Sequence, residues 1–217
     1  MRAISNHLIL IPGYMQRRGD TVQGIPRTWQ HLWNDYPEVC VQLYPWNTDW
    51  SDVAETILRS SRNETLPKIM VVGYSWGVGY GVVQLLRELN YRGLSVESAV
   101  FSDGVYHLAG PLGHKLWISQ CSAYLPRPSF QWPPKKRPII KLPGPKIPNI
   151  SWYIQDNFVW KQRRTYLRGH DLVWKEDGSP VAGRININGT VHKFMDDCTE
   201  FQTRVTQMAR ETFGMAA

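Results

Sequence analysis

Short, unbroken apolar runs alternate with helical stretches along this chain, and that alternation limits its fold more than any other feature. The runs are His7–Ile11, Lys68–Val72, Ser98–Ser102 and Ile150–Ile154, with a β-branched and aromatic segment, Val39–Tyr44, between the first two. A strand that is apolar at every position has no solvent face, so both of its sides must be covered. Between and after the runs come segments with apolar residues three and four apart. They are 27–36 (Trp29, Leu32, Trp33), 52–61 (Val53, Ile57, Leu58), 77–90 (Val82, Leu85, Leu86, Leu89) and 195–213 (Cys198, Phe201, Val205, Met208). Asp52 and Glu55 read as a capping box for the second helix, and Asp196 and Asp197 as first-turn acids of the last. The expected architecture is α/β: a mainly parallel central sheet flanked by helices.

The chain has 217 residues, 42% of them hydrophobic. That suits one domain with a sizeable core and excludes a mainly disordered chain. No apolar run approaches the roughly 20 residues a membrane helix needs. The N-terminal apolar run stops at Pro12-Gly13 and does not read as a signal peptide. Cys40, Cys121 and Cys198 are far apart and show no metal-ligand spacing, which points to a reducing, cytoplasmic setting. Asn-x-Ser/Thr matches at Asn63, Asn149 and Asn188 are read as chance in that setting. No H-E-x-x-H, P-loop or G-x-G-x-x-G is present, so neither a metal nor an organic cofactor is implied.

Charge is concentrated in one stretch. Between Arg127 and Arg168 lie ten Lys/Arg and one acid, Asp156, so this stretch carries +9 of a chain total of +7 and the rest sums to −2. Eight prolines between Pro126 and Pro148 prevent regular helix or a central strand there. Residues 108–149 therefore read as a Pro-rich basic insertion within the single domain 1–217, lying over the carboxyl edge of the sheet. Trp46, Trp50, Trp117, Trp132 and Trp160 fall in expected loops, where they either line a pocket or pack the insertion onto the core.

The segment that carries chemistry is Gly73-Tyr74-Ser75-Trp76-Gly77. A G-x-S-x-G pattern alone is weak. Here it directly follows an apolar strand and opens a helix rich in small residues, the strand–turn–helix setting of a nucleophile elbow. Glycines on either side leave room for a tight turn with Ser75 exposed at its tip, and the helix N-terminus behind it favours negative charge.

Together with Ile11-Pro12-Gly13-Tyr14 after the first strand and Val191-His192-Lys-Phe-Met-Asp196-Asp197 before the last helix, this motif resembles the α/β-hydrolase superfamily in its small serine esterase/lipase form. The resemblance covers nearly the whole chain outside the insertion. It implies the chain order serine, acid, histidine. His7 and His31 precede Ser75, and His107 and His114 come too early to follow the acid, which leaves His170 and His192. His192, in the loop before the final helix, is the expected base. His170 reads as a loop residue near the cleft, or simply exposed. For the acid, Asp103 after the fourth strand is preferred and Asp156 after the next is the alternative. The resemblance puts the oxyanion hole on backbone N–H groups of Trp76 and Tyr14, with Met15 as the alternative to Tyr14.

The expected activity is hydrolysis of a carboxylic ester through a Ser75–Asp103–His192 triad and an acyl-enzyme; a thioesterase, acyltransferase or amidase uses the same parts. The substrate is a small-molecule, lipid or polymer ester, anionic if the basic stretch steers it. The competing expectation is a catalytically silent hydrolase-fold protein that binds an anionic polymer or nucleic acid through Lys135, Lys136 and Arg137. Of these partners nucleic acid is the less expected.

Overall fold

A computed structural model describes residues 6–14, 16, 23–60, 66–105, 139–155, 169–174 and 177–214. Six strands form one parallel sheet: β1 (His7–Ile11), β2 (Cys40–Leu43), β3 (Ile69–Tyr74), β4 (Ser98–Ser102), β6 (Asn149–Gln155) and β8 (Arg184–Ile187). Their order is β2-β1-β3-β4-β6-β8. Strands β5 (Ile139–Leu142) and β7 (Asp171–Trp174) pair in parallel as a second, small sheet. The helices are α1 (Gly24–Asp35), α2 (Trp50–Ser60), α3 (Val83–Tyr91) and α4 (Thr199–Phe213).

Side-chain alternation along the strands divides the core in two. Ile9 and Ile11 of β1, Ile69 and Val71 of β3, and Phe101 of β4 face α2, α3 and the small sheet. Leu8 and Leu10, Met70 and Val72, and Val100 face α1 and α4. Because β1, β3 and β4 feed both layers, each carries apolar residues on both faces and leaves no side for solvent.

Strand order also places a crevice. From β1 the chain steps to β2 on one side, then returns to β3 on the other. The connections leaving β1 and β3 therefore diverge at the carboxyl ends of these neighbours, where open parallel sheets bind ligands.

Several expected details differ. The cap of α2 is Asp49, whose Oδ1 accepts the N–H groups of Ser51 (3.0 Å) and Asp52 (3.4 Å), so Asp52 and Glu55 make no capping box. Glu55 instead pairs with Arg59 (2.9 Å) and Arg92 (3.5 Å). Trp50 is not in a loop: it opens α2, buried, with its indole N–H on the Trp46 carbonyl. The helix after the elbow starts as a π-helical turn, Gly77–Val82, before continuing as α3. The last helix begins at Thr199, so Asp196 and Asp197 precede it and serve a different helix. Strands β5, β7 and β8 carry no long apolar run, because two form a separate pair and the third is an exposed edge. β5 lies between Pro138 and Pro143, in the pair rather than the central sheet. Residues 108–138 of the expected insertion lie outside the described residues, as do Asp156, His107, His114, Trp117, Trp132 and Trp160. No helix among the described residues is long and apolar enough to cross a membrane.

Candidate active site

Ser75 and Asp103 are set side by side by strand register. β3 and β4 pair Tyr74 with Ser102, and each candidate residue is the next one along its strand. Both leave the strand through a left-handed turn, with φ of 53° at Ser75 and 42° at Asp103. Among the described residues these are the two non-glycine positions with positive φ, a conformation that costs of order 1–3 kcal/mol and persists only where surroundings impose it. At Ser75 they do. Its N–H donates to the Ser102 carbonyl (3.0 Å), and its own carbonyl accepts the N–H groups of Val78, Gly79 and Val105. The elbow also presses against β1: a Cβ at Gly77 would run into the backbone carbonyl of Ile11, so that position requires glycine.

His192 arrives from the far end of the chain, at the start of a 3-10 turn, His192–Phe194. Its Nε2 lies 2.9 Å from Ser75 Oγ and its Nδ1 2.5 Å from Asp103 Oδ2. A carboxylate accepts only, so Nδ1 carries the proton and Nε2 is left to accept from the serine hydroxyl. Asp103 is fully buried and Ser75 is 5% exposed. Burial pushes the Asp103 carboxyl above its usual range, and the His192 hydrogen bond and charge pull it back, with smaller help from the Gln155 and Gly169 backbone N–H groups.

Two side chains fasten the histidine turn. The Tyr74 hydroxyl donates to the His192 carbonyl (2.5 Å) while its ring stacks on the imidazole with centroids 5.3 Å apart. The Ser102 hydroxyl donates to the carbonyl of Met195 (3.1 Å). Burial, followed by the nearby charges of Asp196, Asp103 and Asp197, holds the Tyr74 phenol well above its ordinary value, so it stays a donor.

Asp196 and Asp197 cap α1 from more than 170 positions away. Asp197 Oδ1 accepts the Gly24 N–H (2.6 Å), and Asp196 Oδ2 accepts the Ile25 N–H (3.0 Å) and the side-chain N–H of Gln16 (2.5 Å). Gln16 in turn accepts the Gly13 N–H through Oε1 (3.1 Å) and donates its backbone N–H to the Gly13 carbonyl (3.2 Å). Gly24, with φ 62°, leaves room for the cluster; a Cβ there would strike Asp196. Burial raises the Asp196 carboxyl to about 6, against the lowering effect of its Gln16 and Ile25 hydrogen bonds.

Of the expected site residues, the structure brings Ser75, His192 and Asp103 together. Asp156 and Met15 lie outside the described residues. Tyr14 follows β1 at the same edge, and Trp76 follows Ser75. With Trp46 and Tyr80 they form an aromatic wall: Trp76 lies 5.2 Å from Tyr14 and 5.1 Å from Trp46, and Trp46 lies 5.6 Å from Tyr80. His170 is buried rather than exposed; its backbone N–H donates to the Gly104 carbonyl (2.7 Å), tying it to the turn after Asp103. Tyr74, Ser102 and Gln16 have no sequence signal as site residues, because their roles depend on contacts across many positions of chain. Among the described residues, no group of three or more His, Cys, Asp or Glu could hold a metal ion.

The parallel sheet, the order β2-β1-β3-β4-β6-β8 and the elbow after β3 define an α/β-hydrolase fold. No family model and no curated protein matches the sequence. Among solved structures, the chain is similar to RedJ with a PEG molecule bound in the active site (12% identity over 99% of this chain and 92% of that one, TM-score 0.44). It is also similar to the NocB thioesterase domain in covalent complex with a fluorophosphonate nocardicin G analog (13%, 97% and 95%, TM-score 0.41). A third is ClbQ from the colibactin NRPS/PKS pathway (11%, 96% and 96%, TM-score 0.43). RedJ is a thioesterase of the prodiginine biosynthetic pathway in Streptomyces coelicolor.

Proposed function

We propose that this chain is a serine hydrolase that cleaves a carboxylic ester, with Ser75 as nucleophile, His192 as base and Asp103 as the acid that orients it. The observation that carries the reading is the pair of contacts on one imidazole, 2.9 Å to Ser75 Oγ and 2.5 Å to Asp103 Oδ2, at a serine held in a left-handed turn. In this reading Ser75 Oγ adds to the acyl carbon as its proton passes to His192 Nε2. The carbonyl oxygen becomes an oxyanion, met by the backbone N–H groups of Trp76 and Tyr14, each worth about 3–4 kcal/mol in such a site. Collapse breaks the bond to the leaving group, which takes the proton from His192. Water then repeats the sequence on the acyl-serine, releasing the acid and restoring Ser75.

The test is intact mass after exposure to a fluorophosphonate, for wild type, Ser75→Ala and His192→Ala. One adduct on wild type that disappears in both variants is the expected result. Well-folded wild type that takes no adduct would sink the reading. Ester and thioester donors share this chemistry, so kcat/KM on oxoester and thioester pairs of equal acyl length follows. Faster turnover of the oxoester is expected, and preference for the thioester would reassign the substrate class.

A further inference from the structure

The loop after β1 supplies the proposed Tyr14 donor; it packs against Tyr74, Ser75 and Trp76, and a side-chain hydrogen bond from Gln16 also holds it. Gln16 closes that loop on itself, accepting the Gly13 N–H and donating to the Gly13 carbonyl. Its amide N–H then reaches Asp196, four residues beyond His192 in the same turn. The amide orientation follows from the partners: the acceptor-only carboxylate takes the NH2 end, and the Gly13 N–H takes the oxygen. Asp196 has no solvent exposure, and the same Oδ2 accepts the Ile25 N–H, which fixes it to the start of α1. One buried carboxylate thus joins three segments: the loop carrying Tyr14, the turn carrying His192 and the N-terminus of α1.

We infer that Gln16 and Asp196 are a positioning pair that holds the Gly13–Tyr14 loop against the His192 turn, keeping the Tyr14 N–H aimed at the acyl oxygen while His192 stays on Ser75. This rests on the hydrolase reading above. The pair touches neither substrate nor the reacting atoms. Its effect falls on a donor that matters in the transition state more than in the bound substrate, so its loss lowers kcat and leaves KM nearly unchanged.

The experiment measures kcat, KM and melting temperature for the full chain, with active sites titrated by a fluorophosphonate, in wild type, Gln16→Met, Gln16→Glu and the double variant Gln16→Glu/Asp196→Asn. Gln16→Met is expected to lower kcat per titrated site by about 10- to 100-fold with KM within about threefold, less than the full loss of one oxyanion donor. Gln16→Glu sets two carboxylates against each other and is expected to lose at least as much. Adding Asp196→Asn removes that repulsion, but at the shared position the new amide can serve either the carboxylate at 16 or the Ile25 N–H and not both, so kcat is expected to recover part of the way from the Gln16→Glu level, a non-additivity that independent sites do not show. If the titrated sites of Gln16→Met turn over like wild type, or only its melting temperature falls, the pair is structural and the inference is overturned. A double variant no better than Gln16→Glu also overturns it. Wild type that takes no phosphonate overturns the hydrolase reading, and the positioning role with it, which is a separate result from the first two.

Discussion

Asp103 and Asp196 are both fully buried, and burial pushes both carboxyls upward, yet the fold gives them opposite surroundings. Asp103 faces an imidazole that can gain and lose a proton. Asp196 faces the side-chain amide of Gln16 and the backbone N–H of Ile25, both neutral and fixed in their proton content. The first arrangement can respond to charge developing on its partner; the second can only hold shape. A buried acid is therefore no mark of catalysis by itself. What distinguishes these two is whether the neighbouring group can change its charge.

The contrast is most exposed to Asp103→Asn. It keeps the size of the side chain but presents the wrong partner to His192 Nδ1, and kcat is expected to fall by about 10⁴, the effect of this change in a serine-protease triad. Steady-state assay checks it, and a loss under tenfold would put the acid elsewhere, with Asp156→Asn the next variant. Gly77→Ala tests the elbow without touching either carboxylate. Its Cβ meets the Ile11 and Pro12 carbonyls, which are backbone and cannot swing away, so urea unfolding is expected to show a loss of about 3 kcal/mol.

Asp196→Asn sharpens the other side. An acid whose folded pKa is about 6 against about 3.8 unfolded holds its proton more tightly in the fold. Its contribution to stability is then greatest below the unfolded value and declines as pH rises from about 4 to about 6. Melting curves across pH 3.5–7.5 are expected to show wild type losing on the order of 2 kcal/mol relative to Asp196→Asn over that window, then running parallel to it. A constant difference would mean that Asp196 titrates near its ordinary value. Tyr74→Phe carries the smallest expected effect. It removes one hydrogen bond to the His192 carbonyl and keeps the stacked ring, so kcat is expected to drop about three- to tenfold with KM unchanged.

Much of the fold was legible because the relevant signals are local. Ile69–Tyr74 and His7–Ile11 must be buried on both faces, and a residue's hydropathy states that directly. Ser75 was legible for the same reason, since its glycines and flanking strand and helix are all within a few positions. The supports of the site were not. Asp196-Asp197 just before a helix reads as that helix's own first-turn charge, and nothing nearby in the chain says that the N–H groups they bind belong to Gly24 and Ile25. Asp49 displaced Asp52 as a cap for a smaller reason: the two equally able acceptors lie three positions apart, and the start of α2 is set by Trp50 packing into the core. β8 was missed because an exposed edge strand has no need of an apolar run.

By itself, then, the sequence determined the layers, the central parallel strands and the serine at the turn, each dictated by short-range steric and hydrophobic rules. The resemblance named Asp103 and His192 as expected partners of Ser75, with Asp156 left open, but only the tertiary structure sets Ser75 and Asp103 on the His192 imidazole, and it alone decided that Gln16 and α1 meet at the Asp196 carboxylate. Such meetings depend on strand order and register. These are set by the packing of the whole sheet, and no residue's neighbours along the chain encode them.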